Sequence, residues 1–486
     1  MLLKRRSVFI LTLLVLFLVF SLSTTLYAYD APNYVFMFVG DGMANAQINA
    51  AEAYKSAKNE GQDIPSNLNF TKFSEVGMST TYAANRYITG SAAAATAFAC
   101  GAKTNIGYLG VDVNEKSVKS IAEIAKEAGM KVGIVSSVTI DHATPAAYYS
   151  HVPDRGMYYE IGLQMAESGF DYFAGGKPRV DKTPEGEPTI PEVMAESNYN
   201  TINTNEDPEL FEDLKSGPAF VYQSGFAGGA FNYSIDREEK ELTLADYTEK
   251  GIELLDNDDK GFFMMVEGGK IDWAGHANDA VSNIEDTLAF EDAVSKALEF
   301  YEEHPDETLI IVTGDHECGG LTIGWAGTQY ESGFDQLVKQ ERSYEWFDEF
   351  VVKKYRDETN PEEAKLADLK DEIGNYFGLT DWSERETQKL EKAFERTMMG
   401  EKERPDDPET YLEYGSYEPL TVTLTHLLNQ RAGLSWTSYS HTGVPVPVFA
   451  KGINAEKFNG FYDNTDIFTK LVETLRFEET ALSVVE

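Results

Sequence analysis

Short apolar runs rich in β-formers alternate along this chain with longer segments of helical periodicity, and few folds accept that alternation. The runs are Tyr34-Val-Phe-Met-Phe-Val39, Lys131-Val-Gly-Ile-Val135, Phe262-Phe-Met-Met-Val266, Thr308-Leu-Ile-Ile-Val312 and Pro445-Val-Pro-Val-Phe449. Strands apolar on both faces need cover on both faces, which predicts an α/β fold: a three-layer sandwich around a mainly parallel central sheet. Residues 117–128 and 279–303 have the spacing of amphipathic helices. The two prolines of the last run predict a strand at or near an edge.

In such sheets ligands gather beyond the carboxyl ends of the strands. Three of these runs end in an acid beside glycine: Gly40-Asp41-Gly42, Glu267-Gly268-Gly269 and Gly314-Asp315-His316. Glycine lets a metal or a phosphate come close to the backbone, so the three acids point to one shared site. From about residue 320 to 435 the texture changes to highly charged helical stretches, such as 362–377 and 383–399, which predicts an insertion between two parts of that site. Its charge runs also suit plain solvated helix faces.

Lys4-Arg5-Arg6, an apolar run from Val8 to Leu22 and mostly small and polar residues up to Ala28 form a signal-peptide pattern, which predicts export to the periplasm or beyond. The apolar run is short for a stable membrane span. Cleavage after Ala28 leaves 29–486 as one catalytic domain, and a retained anchor is the alternative. The formal net charge is −40, and cleavage removes three of the 41 basic residues and none of the 81 acidic ones. Such a chain is no partner for nucleic acid, and an anionic substrate needs local positive charge of the kind bound divalent metals supply. Only Cys100 and Cys318 are present, which implies no disulfide framework; both read as small packing residues.

Asp272-Trp-Ala-Gly-His276 carries the strongest local signal. Residues four apart on a helical turn point the same way, so Asp272 and His276 suit a shared zinc ion. Asp315-His316 and Ser440-His441-Thr-Gly443 are weaker alone. Ser91, in Thr89-Gly-Ser-Ala-Ala-Ala-Ala-Thr-Ala97, opens a run of helix formers, and the free amides of a helix N-terminus favour a phosphate. An ordinary capping serine fits the same pattern. Arg155 offers a planar fork matched to two phosphoryl oxygens, although a lone arginine fits the surface equally well.

Taken together, Val39-Gly-Asp-Gly42, Gly90-Ser-Ala-Ala-Ala-Ala-Thr-Ala97, Gly101-Ala-Lys-Thr104, Ala143-Thr-Pro-Ala-Ala147, Val266-Glu-Gly268 onward to His276, Asp315-His316 and His441-Thr-Gly443 resemble the alkaline phosphatase family. The resemblance runs from about residue 34 to 452, sparing most of the insertion. It implies an exported phosphate monoesterase that releases inorganic phosphate. Asp272, His276 and His441 would hold one zinc, and Asp41, Asp315 and His316 a second. Asp41 would bridge to a third metal, magnesium by its oxygen ligands, held with Thr144 and Glu267. Ser91 would become phosphorylated while Arg155 holds the non-bridging oxygens, and the two zincs, about 4 Å apart, would clamp the attacking and leaving oxygens. A homodimer is also favoured by the resemblance.

Two departures stand out. His142 and Trp273 occupy places where the best-known bacterial members have aspartate and lysine, which leaves the third metal less defined. Gly90 replaces an aspartate found before the nucleophile in many members. A phosphodiesterase of the same superfamily usually lacks the third metal and the arginine, and a sulfatase needs Cys-x-Pro-x-Arg, whereas Cys100 is followed by Gly-Ala-Lys. A phosphosugar mutase and a non-catalytic metal-binding protein fit the intact ligand set and nucleophile less well.

Overall fold

The computed structural model describes residues 31–60, 66–256, 260–400 and 407–477. The predicted signal segment, residues 1–28, lies outside the described residues. Ten strands form one sheet: β1 (Tyr34–Gly40), β2 (Glu75–Ser79), β3 (Lys131–Thr139), β4 (Tyr172–Gly176), β5 (Asn200–Asn203), β6 (Ala219–Gln223), β7 (Phe262–Gly268), β8 (Thr308–Gly314), β13 (Val446–Gly452) and β14 (Gly460–Tyr462). Between β8 and β13 lie four two-residue strands: β9 (Glu317–Cys318), β10 (Thr322–Ile323), β11 (Leu434–Ser435) and β12 (His441–Thr442). The sheet order is β14-β2-β13-β8-β1-β7-β3-β4-β6-β5, and every pairing is parallel except those of β13.

Alternation along each central strand sends side chains to opposite faces. Phe36 and Phe38 of β1, Phe262 and Met264 of β7, and Ile310 and Val312 of β8 join one apolar cluster. Their neighbours Val35, Met37, Phe263, Met265, Leu309 and Ile311 join another on the opposite face. Two apolar clusters separated by one sheet are the predicted three layers.

Differences from the sequence expectation are local. β13 lies inside the sheet, antiparallel to β2 and β8, despite its prolines. Pairing with β8 begins only at Val448, and the Pro447 carbonyl accepts from Thr313 Oγ1 at 2.9 Å, so the missing N–H leaves no gap in that ladder. The predicted helix at 117–128 starts later, at Ile121, because Ser120 and Glu123 form a capping box there. In the insertion, α-helix spans Lys370–Phe377 and Glu384–Met398, while 362–369 holds turns and a 3₁₀ stretch. The 320–435 segment is pinched at its neck, where Thr322 pairs with Ser435 and Ile323 with Leu434.

Candidate metal centre

Sheet register assembles the first part of the site. Parallel pairing sets Val39 beside Glu267, and Gly40 beside both Gly268 and Gly314, so Asp41, Glu267 and Asp315 emerge from three adjacent strands at the same level. All three are buried. Gly42 turns the chain away with φ +73°, and a Cβ there would lie 2.8 Å from the Asp272 backbone, so only glycine fits. Its N–H donates to Asp315 Oδ1 at 3.0 Å, which fixes that carboxylate.

Helix Lys270–His276 follows β7 and brings Asp272 and His276 to one face, with His276 Nε2 3.3 Å from Asp272 Oδ2. β12 pairs antiparallel with β9, setting His441 opposite Cys318 and placing His441 Nε2 3.4 Å from Asp272 Oδ1 and 3.1 Å from His276 Nε2. Each imidazole donates its Nδ1 hydrogen to a backbone carbonyl, His276 to Tyr439 at 2.6 Å and His441 to Thr89 at 2.9 Å. That fixes both tautomers and leaves both Nε2 lone pairs facing the shared space. Cys318 Sγ joins Asp272, His276 and His441 in a group whose donor atoms lie within 4.8 Å of one another. Sequence reading placed Cys318 among packing residues. The β9–β12 pairing reveals its position, and burial pushes its thiol up, against ionisation.

A second group forms around His316. Its Nε2 lies 3.1 Å from Asp315 Oδ2, 3.5 Å from Asp41 Oδ1 and 3.4 Å from Ser91 Oγ. Ser91 is the first residue of helix Ser91–Cys100; Gly90 occupies the cap position, and the Ser91 hydroxyl faces His316. The ordinary-cap alternative is thereby removed. In the third group, Asp41, His142 and Glu267 bring donor atoms within 4.8 Å, and Thr144 Oγ1 donates to Asp41 Oδ2 at 3.4 Å. Arg155 Nη2 donates to His142 Nε2 at 2.9 Å, and burial together with the Arg155 charge pushes His142 down to about 3, so it stays neutral. Trp273 stands 5.8 Å from His142, ring centre to ring centre.

These residues fit divalent cations. Asp41 Oδ1, Glu267 Oε1, Asp272 Oδ1, Asp315 Oδ2 and His142 Nδ1 are buried without a hydrogen-bond partner among the described residues. Uncompensated buried carboxylate oxygens carry a high desolvation penalty. It shows at Asp41 and Glu267: burial, then the neighbouring Asp315, Asp272 and Glu267 charges, raises Asp41 well above the carboxylate range, and burial pushes Glu267 up to about 8; at Asp272 burial acts the same way, but the His276 and His441 charges outweigh it and hold the carboxyl well below that range. Mixed imidazole and carboxylate donors around Asp272 and His316 suit zinc, and the oxygen-rich third group suits a harder ion.

The sequence model of the alkaline phosphatase family matches residues 32–174 and 222–477. This chain belongs to the alkaline phosphatase family. It is 33% identical over 455 residues to alkaline phosphatase 4 of Bacillus subtilis, covering 90% of this chain and 88% of that protein. Its fold matches the cold-active alkaline phosphatase of a psychrophilic Shewanella, with TM-score 0.75 and 30% identity over 91% of this chain and 99% of that one. A histidine-to-aspartate variant of the alkaline phosphatase from the Antarctic bacterium TAB5 matches with TM-score 0.62 and 25% identity, over 92% and 99%, and holds magnesium in its M3 site. The family and these relatives identify a metal-dependent phosphate monoester hydrolase. Among the described residues no helix is long and apolar enough to cross a membrane.

Proposed function

We propose that the hydrolysis runs through a phosphoserine on Ser91, in a centre of two zinc ions and one magnesium. Asp272, His276 and His441 hold one zinc. Asp41, Asp315 and His316 hold the other, and Asp41, Thr144 and Glu267 hold the magnesium, with His142 beside it. When bound, the cations supply positive charge for the phosphoryl oxygens, acidify hydroxyl groups and stabilise a departing alkoxide.

The chain's own groups do the rest. Ser91 Oγ gives up its proton to solvent and bonds to phosphorus as the P–O bond to the alcohol breaks; the leaving oxygen departs with that electron pair and takes a proton from solvent, giving the free alcohol. Water then loses a proton to solvent as it attacks phosphorus from the vacated side, and Ser91 Oγ departs with the P–O electron pair and regains a proton, giving inorganic phosphate. Free N–H groups in the first turn of helix Ser91–Cys100 face the phosphoryl group, and the Arg155 fork holds its non-bridging oxygens. Arg155 is steadied by neutral His142, which accepts its hydrogen bond.

Residues 1–28 export the enzyme to the periplasm or the exterior, and the mature enzyme is a homodimer; the N-terminal sequence pattern and the family resemblance support both. The 320–435 segment forms a crown beside the rim. Its ends are tied at β10–β11, next to the β9–β12 pairing that carries His441.

The observation that carries the phosphoserine reading is the 3.4 Å approach of the Ser91 hydroxyl to His316 Nε2, beside carboxylates that each keep one buried oxygen without a hydrogen-bond partner among the described residues. Quenching turnover in acid with a labelled phosphate monoester should trap label on the wild-type chain, and a chelator should abolish it. Label absent from metal-loaded enzyme during active turnover would overturn the covalent route.

A further inference from the structure

A cavity of about 620 Å³ has His142 and Trp273 in its wall. His142 accepts from Arg155, so this space lies one hydrogen bond from the arginine assigned to the phosphoryl oxygens. Its volume suits a small organic ligand, for which sites run to roughly 300–1,000 Å³. Tyr158, Phe231 and Trp273 supply aromatic lining, and Lys177, Arg179 and Lys270 positive charge.

Two of these cations are already committed. Arg179 forks onto Asp181 at 2.9 and 3.0 Å. Lys270 is buried, with its ammonium 3.6 Å from the centre of the Tyr233 ring, 4.8 Å from that of Trp273 and 3.3 Å from Glu345 Oε2. Lys177 differs. Its N–H is anchored by the carbonyls of Gln223, at 2.9 Å, and Gly229, at 2.7 Å. Its half-buried side chain has no ion-pair partner among the described residues, in a chain where 81 acidic residues face 41 basic ones. Lys177 and Arg179 lie in the stretch between the two family-matched segments.

We propose that the cavity receives the alcohol part of the substrate and that Lys177 binds a second anionic group on it. Preferred monoesters then carry a carboxylate or a further phosphate. This rests on the phosphomonoesterase reading and deepens it. The net charge of −40 repels such an ester at long range, and a partly desolvated ammonium offsets that repulsion where the ester docks. Lysine suits either kind of anion because it acts as a compact point charge rather than a planar fork. The rings of Tyr158 and Trp273 hold the carbon skeleton between the two charged ends.

The test compares phenyl phosphate with 4-carboxyphenyl phosphate in wild type and in Lys177→Met, which keeps most of the stem and removes the charge. Taking the ratio between enzymes cancels the different leaving-group reactivities. Lys177→Met should lower kcat/KM for the carboxylate-bearing ester about fivefold, through KM, and leave phenyl phosphate within about twofold. Lys177→Glu should widen the gap, and added salt should narrow it in the wild type. Equal effects on both esters, or none on either, overturn the proposal, while continued turnover of phenyl phosphate leaves the phosphatase reading standing. A wild type that releases no phosphate from phenyl phosphate, with zinc and magnesium supplied, overturns both.

Discussion

His276 Nε2 and His441 Nε2 lie 3.1 Å apart while both Nδ1 hydrogens are committed to backbone carbonyls. Two neutral rings so held present lone pair to lone pair, and the Asp272 carboxylate adds negative charge to the same space. Something positive must sit there. In the metal-free chain a proton serves: burial works against it, but Asp272 pushes His276 up to about 9. A zinc ion competes for the same lone pairs. His276→Ala or His441→Ala should therefore lose activity by more than about 100-fold, with partial recovery in excess zinc. Metal content and phosphate release measured together check this, and full activity at normal zinc content would defeat the ligand assignment.

Ser91→Ala should abolish acid-stable phosphoenzyme while leaving metal content near that of the wild type. The reason is geometric. The Ser91 hydroxyl faces His316, but the His316 group retains Asp41 and Asp315 without it. Label kept by the variant at the wild-type level would remove Ser91 as nucleophile.

Trp273→Lys should bring an ammonium towards the Arg155–His142 pair, since Trp273 already packs edge-on against His142. Inhibition by inorganic phosphate should tighten roughly fivefold, with zinc still bound. Lys270, now over the Trp273 ring, would face a like charge in the variant, and its Glu345 partner limits the repulsion. Unchanged phosphate inhibition would place position 273 away from the anion.

Metal removal should make stability strongly dependent on pH. Without cations, burial and mutual repulsion raise Asp41 and push Asp315 up to about 6 and Glu267 up to about 8, above the range these carboxylates have in the unfolded chain. At these three carboxylates the folded apo-protein binds more protons than the unfolded chain. The contribution of these three carboxylates is fully present below the ordinary carboxylate range and is lost as pH rises through about 8, whereas Asp272, held well below that range by the His276 and His441 charges against the effect of its burial, contributes in the opposite sense at acidic pH. The metal-loaded protein should not share this fall, because bound cations compensate the same carboxylates. Thermal unfolding of chelated and loaded protein at pH 5 and pH 8 tests it; a stabilising effect of metal that does not grow with pH would count against the assignment.

Much of this was legible in the chain because it depends on local pattern. Strands such as β1 and β7 are apolar on both faces and end in an acid beside glycine, and Asp272 and His276 share a helical face whatever surrounds them. What escaped depends on contacts distant in sequence. Cys318 joins the zinc-type group through contacts distant in sequence: its N–H donates to the Gly42 carbonyl, and β9 pairs with β12, more than a hundred residues later. β13 looked like an edge strand because proline lacks a donor, yet pairing with β8 that begins at Val448 lets it lie inside. Lys177 and Arg179 have no motif at all, and matter only because His142 and Trp273 share their cavity.

In sequence the 320–435 segment reads as a crown- or lid-like insertion, and its charge runs equally suit solvated helix faces. Many of its apolar residues are nevertheless buried: Leu337, Phe347, Phe377, Leu390 and Leu424 join the same cluster as Phe36 and Phe38 of β1. Polar contacts tie it down as well. Gln340 Nε2 and the Tyr344 N–H each donate at 2.9 Å to Asp279, the residue that caps helix Ala280–Glu303 just after the Asp272–His276 turn. Replacing residues 329–417 by a short linker would take two donors away from the buried Asp279 carboxylate and uncover the apolar face, so the catalytic part should unfold with it. A gentler probe is Phe347→Ala, which opens a cavity in fully buried packing and should cost about 3–5 kcal/mol. If segment and sheet form one cooperative unit, calorimetry of this variant should show a single transition at lower temperature, with zinc release and loss of activity at the same midpoint. A separate early transition that leaves zinc and activity in place would show a crown that folds by itself.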